Sequence, residues 1–283
     1  MPDFVAEGAE RLREFAESEL AKLFAPGGPV PDDGIPPSLA EPLRYAILGG
    51  GKRLRPVLCL ATCEALCGRA EPALPAALAV EVLHNYTLVH DDLKCMDDDA
   101  LRRGRPSVHA KYGEAQAVLV GDALQAAAFR LALMAPPGCA EALALAAGPS
   151  GVVGGQWIDV TSAPPHDAAR VRYVHERKTA ALIVCACETG AISAGAPERG
   201  VAAARRYGAA FGLAFQIVDD LLDAEDPAKA GELSILRVAS RDEARAAARA
   251  ATTEAVAALD GFEPSVARDI LRSLAEGQLR RSL

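Results

Sequence analysis

A chain of 283 residues that is 51% hydrophobic is long enough for one large core and too apolar to remain disordered. Its net charge of −8 opposes the phosphate backbone of DNA and RNA, which excludes nucleic-acid binding by bulk charge. Aromatic residues are only 5% and Ala is abundant, a composition suited to closely packed helices. The N-terminal stretch is charged and amphipathic, not basic-then-apolar like a signal sequence. No uninterrupted apolar run is long enough to span a membrane, so a cytoplasmic protein is expected. The seven cysteines fit the same compartment. Cys59, Cys63 and Cys67 share one helix face and, with Cys185 and Cys187, lie in apolar stretches, which reads as small buried hydrophobes.

In chain order, apolar residues at three- and four-residue steps predict a helix over Val5–Leu23. Gly27-Gly28-Pro29 and Pro36-Pro37 mark a linker, and Ser38 is a candidate cap for a helix running to Leu48. Pro56 suits the first turn of a helix through Cys67. Leu74–His90 is almost uninterruptedly apolar and therefore buried on most sides. Ala115–Met134 and Ala140–Asp159 read as Ala-rich helices separated at Pro136-Pro137-Gly138. Asp167–Ile192, Pro197–Asp223, Arg241–Leu259 and Pro264–Leu279 complete the set, and no stretch alternates convincingly as a strand. The expectation is an all-α fold, one domain over residues 1–283, built as a large bundle around a central cavity.

Two aspartate clusters end apolar helical stretches: His90-Asp91-Asp92-Leu93-Lys94-Cys95-Met96-Asp97-Asp98-Asp99 and Phe215-Gln216-Ile217-Val218-Asp219-Asp220-Leu221-Leu222-Asp223. One acidic run reads equally well as solvated surface. Two with the same grammar point to cations held between facing helices, because crowded carboxylates resist burial. Oxygen ligands without metal-spaced Cys or His favour Mg²⁺, which keeps positions open for phosphate oxygens. Asp219 and Asp223, four apart, share a helix face. Asp91 and Asp97, six apart, do not, so the helix must end or bulge near Lys94-Cys95 for both to reach one ion. Asp98 and Asp99 read as structural or solvated.

Basic residues accompany these clusters. Gly49-Gly50-Gly51-Lys52-Arg53-Leu54-Arg55-Pro56 is a glycine-rich loop with three cations before a helix start, and it lacks the Ser or Thr of a Walker A loop. Arg102-Arg103-Gly104 follows the first cluster, and Arg forks match diphosphate oxygens. Lys178-Thr179 lies between apolar runs, where a lysine either meets an anion or snorkels. His84 reads as a phosphate contact on the strength of its neighbours, while Gln156 and Asp159 are polar residues in an apolar setting.

Taken together and in order, Gly-Gly-Lys52-Arg53-Leu-Arg55-Pro, Asp91-Asp92-x₄-Asp97 with Arg102-Arg103-Gly104, Lys178-Thr179 and Phe215-Gln216-x-x-Asp219-Asp220-x-x-Asp223 resemble the trans-isoprenyl diphosphate synthases, or polyprenyl synthetases. The match is to the bacterial short-chain type with a two-residue insertion in the first motif. The resemblance implies an isoprenoid-synthase bundle with a deep apolar cavity, a homodimer, and a Mg²⁺-dependent prenyltransferase that joins dimethylallyl or geranyl diphosphate to isopentenyl diphosphate. It implies that Asp91, Asp92 and Asp97, with Asp219 and Asp223 opposite, hold three Mg²⁺ on the allylic diphosphate. Arg102, Lys178 and Lys52 complete that grip. Lys52, Arg55, His84 and Arg103 take the diphosphate of isopentenyl diphosphate, and Gln216 and the backbone at Lys178-Thr179 face the developing cation. Tyr86 and Thr87, five and four positions before Asp91, stand where the cavity floor is expected. An aromatic there favours a C15 product, farnesyl diphosphate, with geranylgeranyl diphosphate as the alternative. Lys94 stands where the family usually has Pro, and the stretch after Asp223 is short, with Glu232 in place of an expected Lys. A catalytically weak subunit that tunes a partner synthase is therefore a competing reading. A class I terpene cyclase is another, opposed by Lys52, Arg55 and Arg103.

Overall fold

The computed structural model describes residues 3–25, 27–30, 34–162, 167–225 and 233–280. Thirteen α-helices carry those residues: α1 (Asp3–Leu20), α2 (Pro37–Ile47), α3 (Leu54–Cys67), α4 (Leu74–Asp91), α5 (Val108–Tyr112), α6 (Glu114–Met134), α7 (Cys139–Ala147), α8 (Val152–Thr161), α9 (Ala168–Val174), α10 (Ala181–Ser193), α11 (Glu198–Leu222), α12 (Arg241–Ala258) and α13 (Val266–Leu279). The all-α expectation holds. α4 is central because its sequence leaves it no polar face: every residue from Ala76 to Leu83 is buried. It packs along α6, while α10 packs on α3 and α11 lies between α10 and α12. Gly190 permits the α10–α3 crossing, since a β-carbon there would run into the Cys59 carbonyl oxygen. By length and composition α6 would pass for a membrane span, yet Val120, Leu124 and Leu131 are buried, marking it as a core helix. All seven cysteines are free, with only Cys67 and Cys95 exposed.

Three boundaries differ from the sequence reading, each for a local reason. α2 starts at Pro37 with Pro36 as its cap, so Ser38 falls inside the first turn. Proline's fixed φ suits that first position better than a hydroxyl cap one residue later. Residues 140–159 form two helices, because Gly148, Pro149 and Gly151 break the run between α7 and α8. The stretch 167–192 is interrupted by a π-helical turn (His175–Ala180) between α9 and α10. A two-residue hairpin also appears, β1 (Leu101–Arg102) paired antiparallel with β2 (Arg105–Pro106). Arg103 and Gly104, at φ 54 and 73, make its turn with both central residues left-handed.

The glycine-rich loop brings one cation inward. Arg53 adopts φ 48 to cap α3, and its guanidinium is buried. It donates to Glu81 Oε1 at 2.7 Å, Glu17 Oε1 at 2.8 Å and the Ile47 carbonyl at 2.6 Å. Glu81 is itself only 2% exposed in the middle of α4, so its carboxylate depends on this cation. Arg53 thus welds α1, α3 and α4 together and is a structural residue. Replacing Glu81 with Ala strands a buried guanidinium, and we expect denaturant unfolding to show a loss of about 3–5 kcal/mol. A loss below about 1 kcal/mol would show that solvent reaches Arg53 after all.

Candidate active site

α4 stops at Asp91, and the chain then curls back on itself. The Leu93 N–H donates to the His90 carbonyl at 3.2 Å, and the Asp97 N–H donates to the Asp91 carbonyl at 2.9 Å. The turn therefore sets Asp97 beside Asp91, which an unbroken helix forbids. Burial pushes the Asp91 carboxyl up to about 7, with Lys178 drawing it down and Asp97 adding to the rise. Burial also raises Asp97, again against the pull of Lys178. Asp92 leaves this group. It is buried, and its Oδ1 accepts from Arg102 Nε at 2.8 Å and from Arg102 Nη2. Arg102 Nη2 also reaches Asp99 Oδ2 at 2.8 Å. Asp92, Arg102 and Arg103 line a small cavity with Tyr45, Asn85 and Ser107, on the hairpin side of α4.

Lys178 comes from the π-helical turn and stands among three carboxylates. Its Nζ donates to Asp159 Oδ2 at 2.5 Å. Burial opposes its charge, but Asp159, Asp91 and Asp97 outweigh that and raise its pKa. Gly155 of α8 lets the turn this close, since a β-carbon there would strike the Lys178 backbone. The next residue faces α11: Thr179 Oγ1 donates to Gln216 Oε1 at 2.6 Å. Gln216 Nε2 in turn donates to Asp220 Oδ1 at 2.9 Å. Asp220 Oδ2 accepts from the Ile235 N–H at 2.7 Å and lies 3.1 Å from His175 Nε2, although the ring does not point squarely at it. Asp219, half-buried in the last turn of α11, lies near enough to Arg55 to support its charge. Asp223, one turn on, is exposed.

On the α3 side, burial pushes Arg55 down; Glu81 and Asp219 support its charge while Arg103 opposes it. Its buried Nε has no hydrogen-bond partner among the described residues. Burial, together with Arg55, Arg103, Arg53 and Arg102, holds His84 well below the ordinary histidine value, so its imidazole is neutral. Arg103 Nη1 donates to the Gly50 carbonyl, which pins the hairpin tip to the glycine-rich loop, where Lys52 is exposed. Basic groups this crowded, with Glu81 already taken by Arg53, form a pocket of positive potential suited to an anion.

The structure thus groups Asp91, Asp97 and Lys178, adds Asp159, and gathers Arg55, His84 and Arg103 separately. It joins Thr179 to Gln216, and ties Asp92 to Arg102. Tyr86 lies in the α4–α6 seam, its ring edge-on to His90 at 4.9 Å with Gln125 and Asp122 near its hydroxyl. Thr87 Oγ1 donates back to the His84 carbonyl at 2.8 Å. Lys94 is exposed, 3.7 Å from Glu114. Lys229, Glu232 and Arg281 lie outside the described residues. Sequence reasoning gave no role to His175 or Asp220; His175 stands in a densely charged stretch, Arg170 to Lys178, where nothing local singles it out. Another cavity, about 560 Å³, opens between the α7–α8 junction, the π-helical turn, α10, α11 and Glu254 of α12.

Residues 36–233 match the polyprenyl synthetase family model. The chain is 39% identical over 260 residues to a putative geranylgeranyl pyrophosphate synthase 8, chloroplastic, of Arabidopsis thaliana, covering 83% of this chain and 72% of that protein. It is 43% identical over 221 residues to a geranylgeranyl diphosphate synthase of Cyanophora paradoxa, covering 75% and 71%. Among solved structures, an FPP/GFPP synthase from Zymomonas mobilis superposes with a TM-score of 0.85 at 39% identity, covering 96% of this chain and 99% of that one. A geranyltransferase from Legionella pneumophila gives 0.86 at 30% identity, covering 99% and 98%. Its helical fold, its ordered motifs and these relatives agree: the chain is a trans-prenyltransferase of the polyprenyl synthetase family.

Proposed function

We propose that the protein joins an allylic diphosphate to isopentenyl diphosphate in a Mg²⁺-dependent reaction and elongates to the C20 product, geranylgeranyl diphosphate. The observation that carries the reading is the separation, within one site, of a carboxylate group suited to a metal-bound diphosphate from a basic group suited to a second anion. Asp91, Asp97 and Lys178 form one, and Arg55, His84 and Arg103 the other.

The donor set fits magnesium. Among the described residues no three acidic, His or Cys side chains converge into a cage of their own. Mg²⁺ held by one or two carboxylates with substrate phosphate oxygens needs no such cage. Asp91 and Asp97 would hold it on one side and Asp219 on the other. Both groups lie at helix C-termini, where the carbonyl dipoles favour a cation. When bound, the ion neutralises the leaving diphosphate and makes C–O ionisation accessible.

The chain's own residues supply the remainder. Lys178, charged because three carboxylates surround it, offers its Nζ to the allylic diphosphate. Arg55 and Arg103 bind the second diphosphate, whose charge relieves their mutual repulsion. The C–O bond of the allylic substrate breaks, the double bond of isopentenyl diphosphate forms the new C–C bond, and one proton leaves. Neutral His84 is a poor base amid four arginines, so that proton goes to a diphosphate oxygen. Arg102 acts from behind, linking the hairpin to Asp92 and Asp99.

Product length departs from the C15 expectation. The Arabidopsis thaliana and Cyanophora paradoxa relatives are named as geranylgeranyl diphosphate synthases, the solved structures as an FPP/GFPP synthase and a geranyltransferase, and the Tyr86 ring is held in the seam with α6 by His90 and Gln125. A ring anchored there supports longer growth than one crossing the pit as a floor. Exposed apolar side chains on α6 and α8, including Leu119, Leu133 and Trp157, further support a homodimer through this face.

Incubation of geranyl diphosphate, isopentenyl diphosphate and Mg²⁺ with the protein should give mainly C20 alcohol after dephosphorylation, and Tyr86→Ala should leave C20 dominant. A wild type that stops at C15, with a Tyr86→Ala variant that runs on, restores the aromatic floor. Asp91→Ala and Asp219→Ala should each lower kcat by at least ~10²–10³; near-normal turnover in either removes it from the metal site. Sedimentation should report a dimer that Trp157→Glu with Leu119→Glu converts to monomer, and a monomeric wild type would end that assignment.

A further inference from the structure

Lys178 and Thr179 occupy a π-helical turn, a rare local structure with poorer backbone bonding than an α-helix. Something must hold it, because relaxation to an α-helix would shift its side chains by one residue, about 100° of rotation. Lys178 would then leave Asp91, Asp97 and Asp159. Glycines admit the turn on both sides: Gly155 faces the Lys178 backbone and Gly212 of α11 faces Ala180. Small residues make room but do not hold. Lys178 bonds Asp159 and Arg177 bonds the Ser150 carbonyl, while the two contacts that tie the turn to α11, from His175 and from Thr179 through Gln216, both lead to Asp220.

We propose that His175 and Asp220 are a positioning pair that fixes the π-helical turn, and with it Lys178 and Thr179, for the allylic diphosphate. His175 opens the turn and is 3% exposed; Asp220 is 7% exposed. His175 Nε2 lies 3.1 Å from Asp220 Oδ2, within ion-pair distance at the start of the turn though not aligned as a hydrogen bond. Asp220 Oδ1 takes Gln216 Nε2 at 2.9 Å, and Gln216 Oε1 takes Thr179 Oγ1 at 2.6 Å, clamping its far side. The same carboxylate accepts the Ile235 N–H at 2.7 Å, so the chain returning after the second aspartate motif is tied to the same point. Neither residue touches the reacting atoms in this arrangement. Their effect passes through Lys178, Thr179 and Gln216.

The first motif shows the same division. Asp91 faces Lys178 while Asp92 turns away to Arg102. Asp219 faces Arg55 while Asp220 turns away to His175. In each Asp-Asp doublet the first residue serves the site and the second binds a basic side chain of the scaffold.

The inference rests on the prenyltransferase reading, but one readout is independent of it. Three proteins are compared: wild type, His175→Phe, which keeps ring bulk without polar contact, and His175→Gln, which restores a donor. Condensation kinetics are measured with geranyl and isopentenyl diphosphates, and calorimetry follows inorganic pyrophosphate binding with Mg²⁺. We expect His175→Phe to lower kcat by about tenfold or more, as small misplacements of a binding group do. It should weaken pyrophosphate binding by a similar factor. The KM for isopentenyl diphosphate should stay within about twofold, since its contacts lie on α3, α4 and the hairpin. His175→Gln should recover most of both losses. Unchanged kcat and pyrophosphate affinity in His175→Phe overturns the pair, as does a loss in which both substrates' KM values rise together without rescue by Gln. If His175→Phe does not fold, Asp220→Asn is judged by the same criteria. A wild type that binds pyrophosphate with Mg²⁺ but does not condense sinks the prenyltransferase reading, and the pyrophosphate affinities of the variants then decide the pair.

Discussion

Buried carboxylates tolerate one another only when cations stand among them, and the architecture of this chain follows from meeting that condition twice. Asp91 and Asp97 are pushed up by burial and held in check by Lys178. Lys178 itself stays charged only because Asp159, Asp91 and Asp97 surround it. Each group makes the others possible. The carboxylates also sit where two helices end, and the carbonyl dipoles there disfavour anions further. A divalent cation bridging to phosphate would relieve this repulsion.

The neighbouring basic pocket obeys the converse rule. Arg53 sits fully inside the protein because Glu81 and Glu17 neutralise it. That engages the Glu81 carboxylate directly and leaves Arg55 and Arg103 with its more distant support against their burial. Arg55 keeps a buried Nε with no hydrogen-bond partner among the described residues, and His84 is forced neutral. One arginine of the glycine-rich loop builds the scaffold so that the other can be left wanting an anion. The end of the loop and the start of α3 thus hold a structural cation and a binding cation two positions apart.

Much of this was legible in the sequence. The apolar continuity of Leu74–His90 announced a central helix, and the six-residue spacing of Asp91 and Asp97 required the break that the structure places just after Asp91. The ordered motifs gave the family. What escaped detection depends on contacts between distant segments. Nothing local distinguishes Arg53 from Arg55, and only the position of Glu81 across the helix pair sends one inward. The π-helical turn leaves no periodic signature over six residues, and Gly155 and Gly212 acquire meaning only once α8 and α11 close on it. The Arg103-Gly104 hairpin is too short to alternate. Position before Asp91 pointed to Tyr86 as a floor, but nothing local announces that Gly121 admits the His90 ring against which the Tyr86 ring stands edge-on.

The most direct test is where divalent metal binds. Crystals grown with Mn²⁺ and inorganic pyrophosphate should show anomalous density between the pyrophosphate and Asp91 and Asp97, and further density at Asp219, with Lys178 on the same phosphate. Metal found only on the outward carboxylates Asp98 and Asp99, or pyrophosphate bound without metal contact to Asp91, would contradict the account.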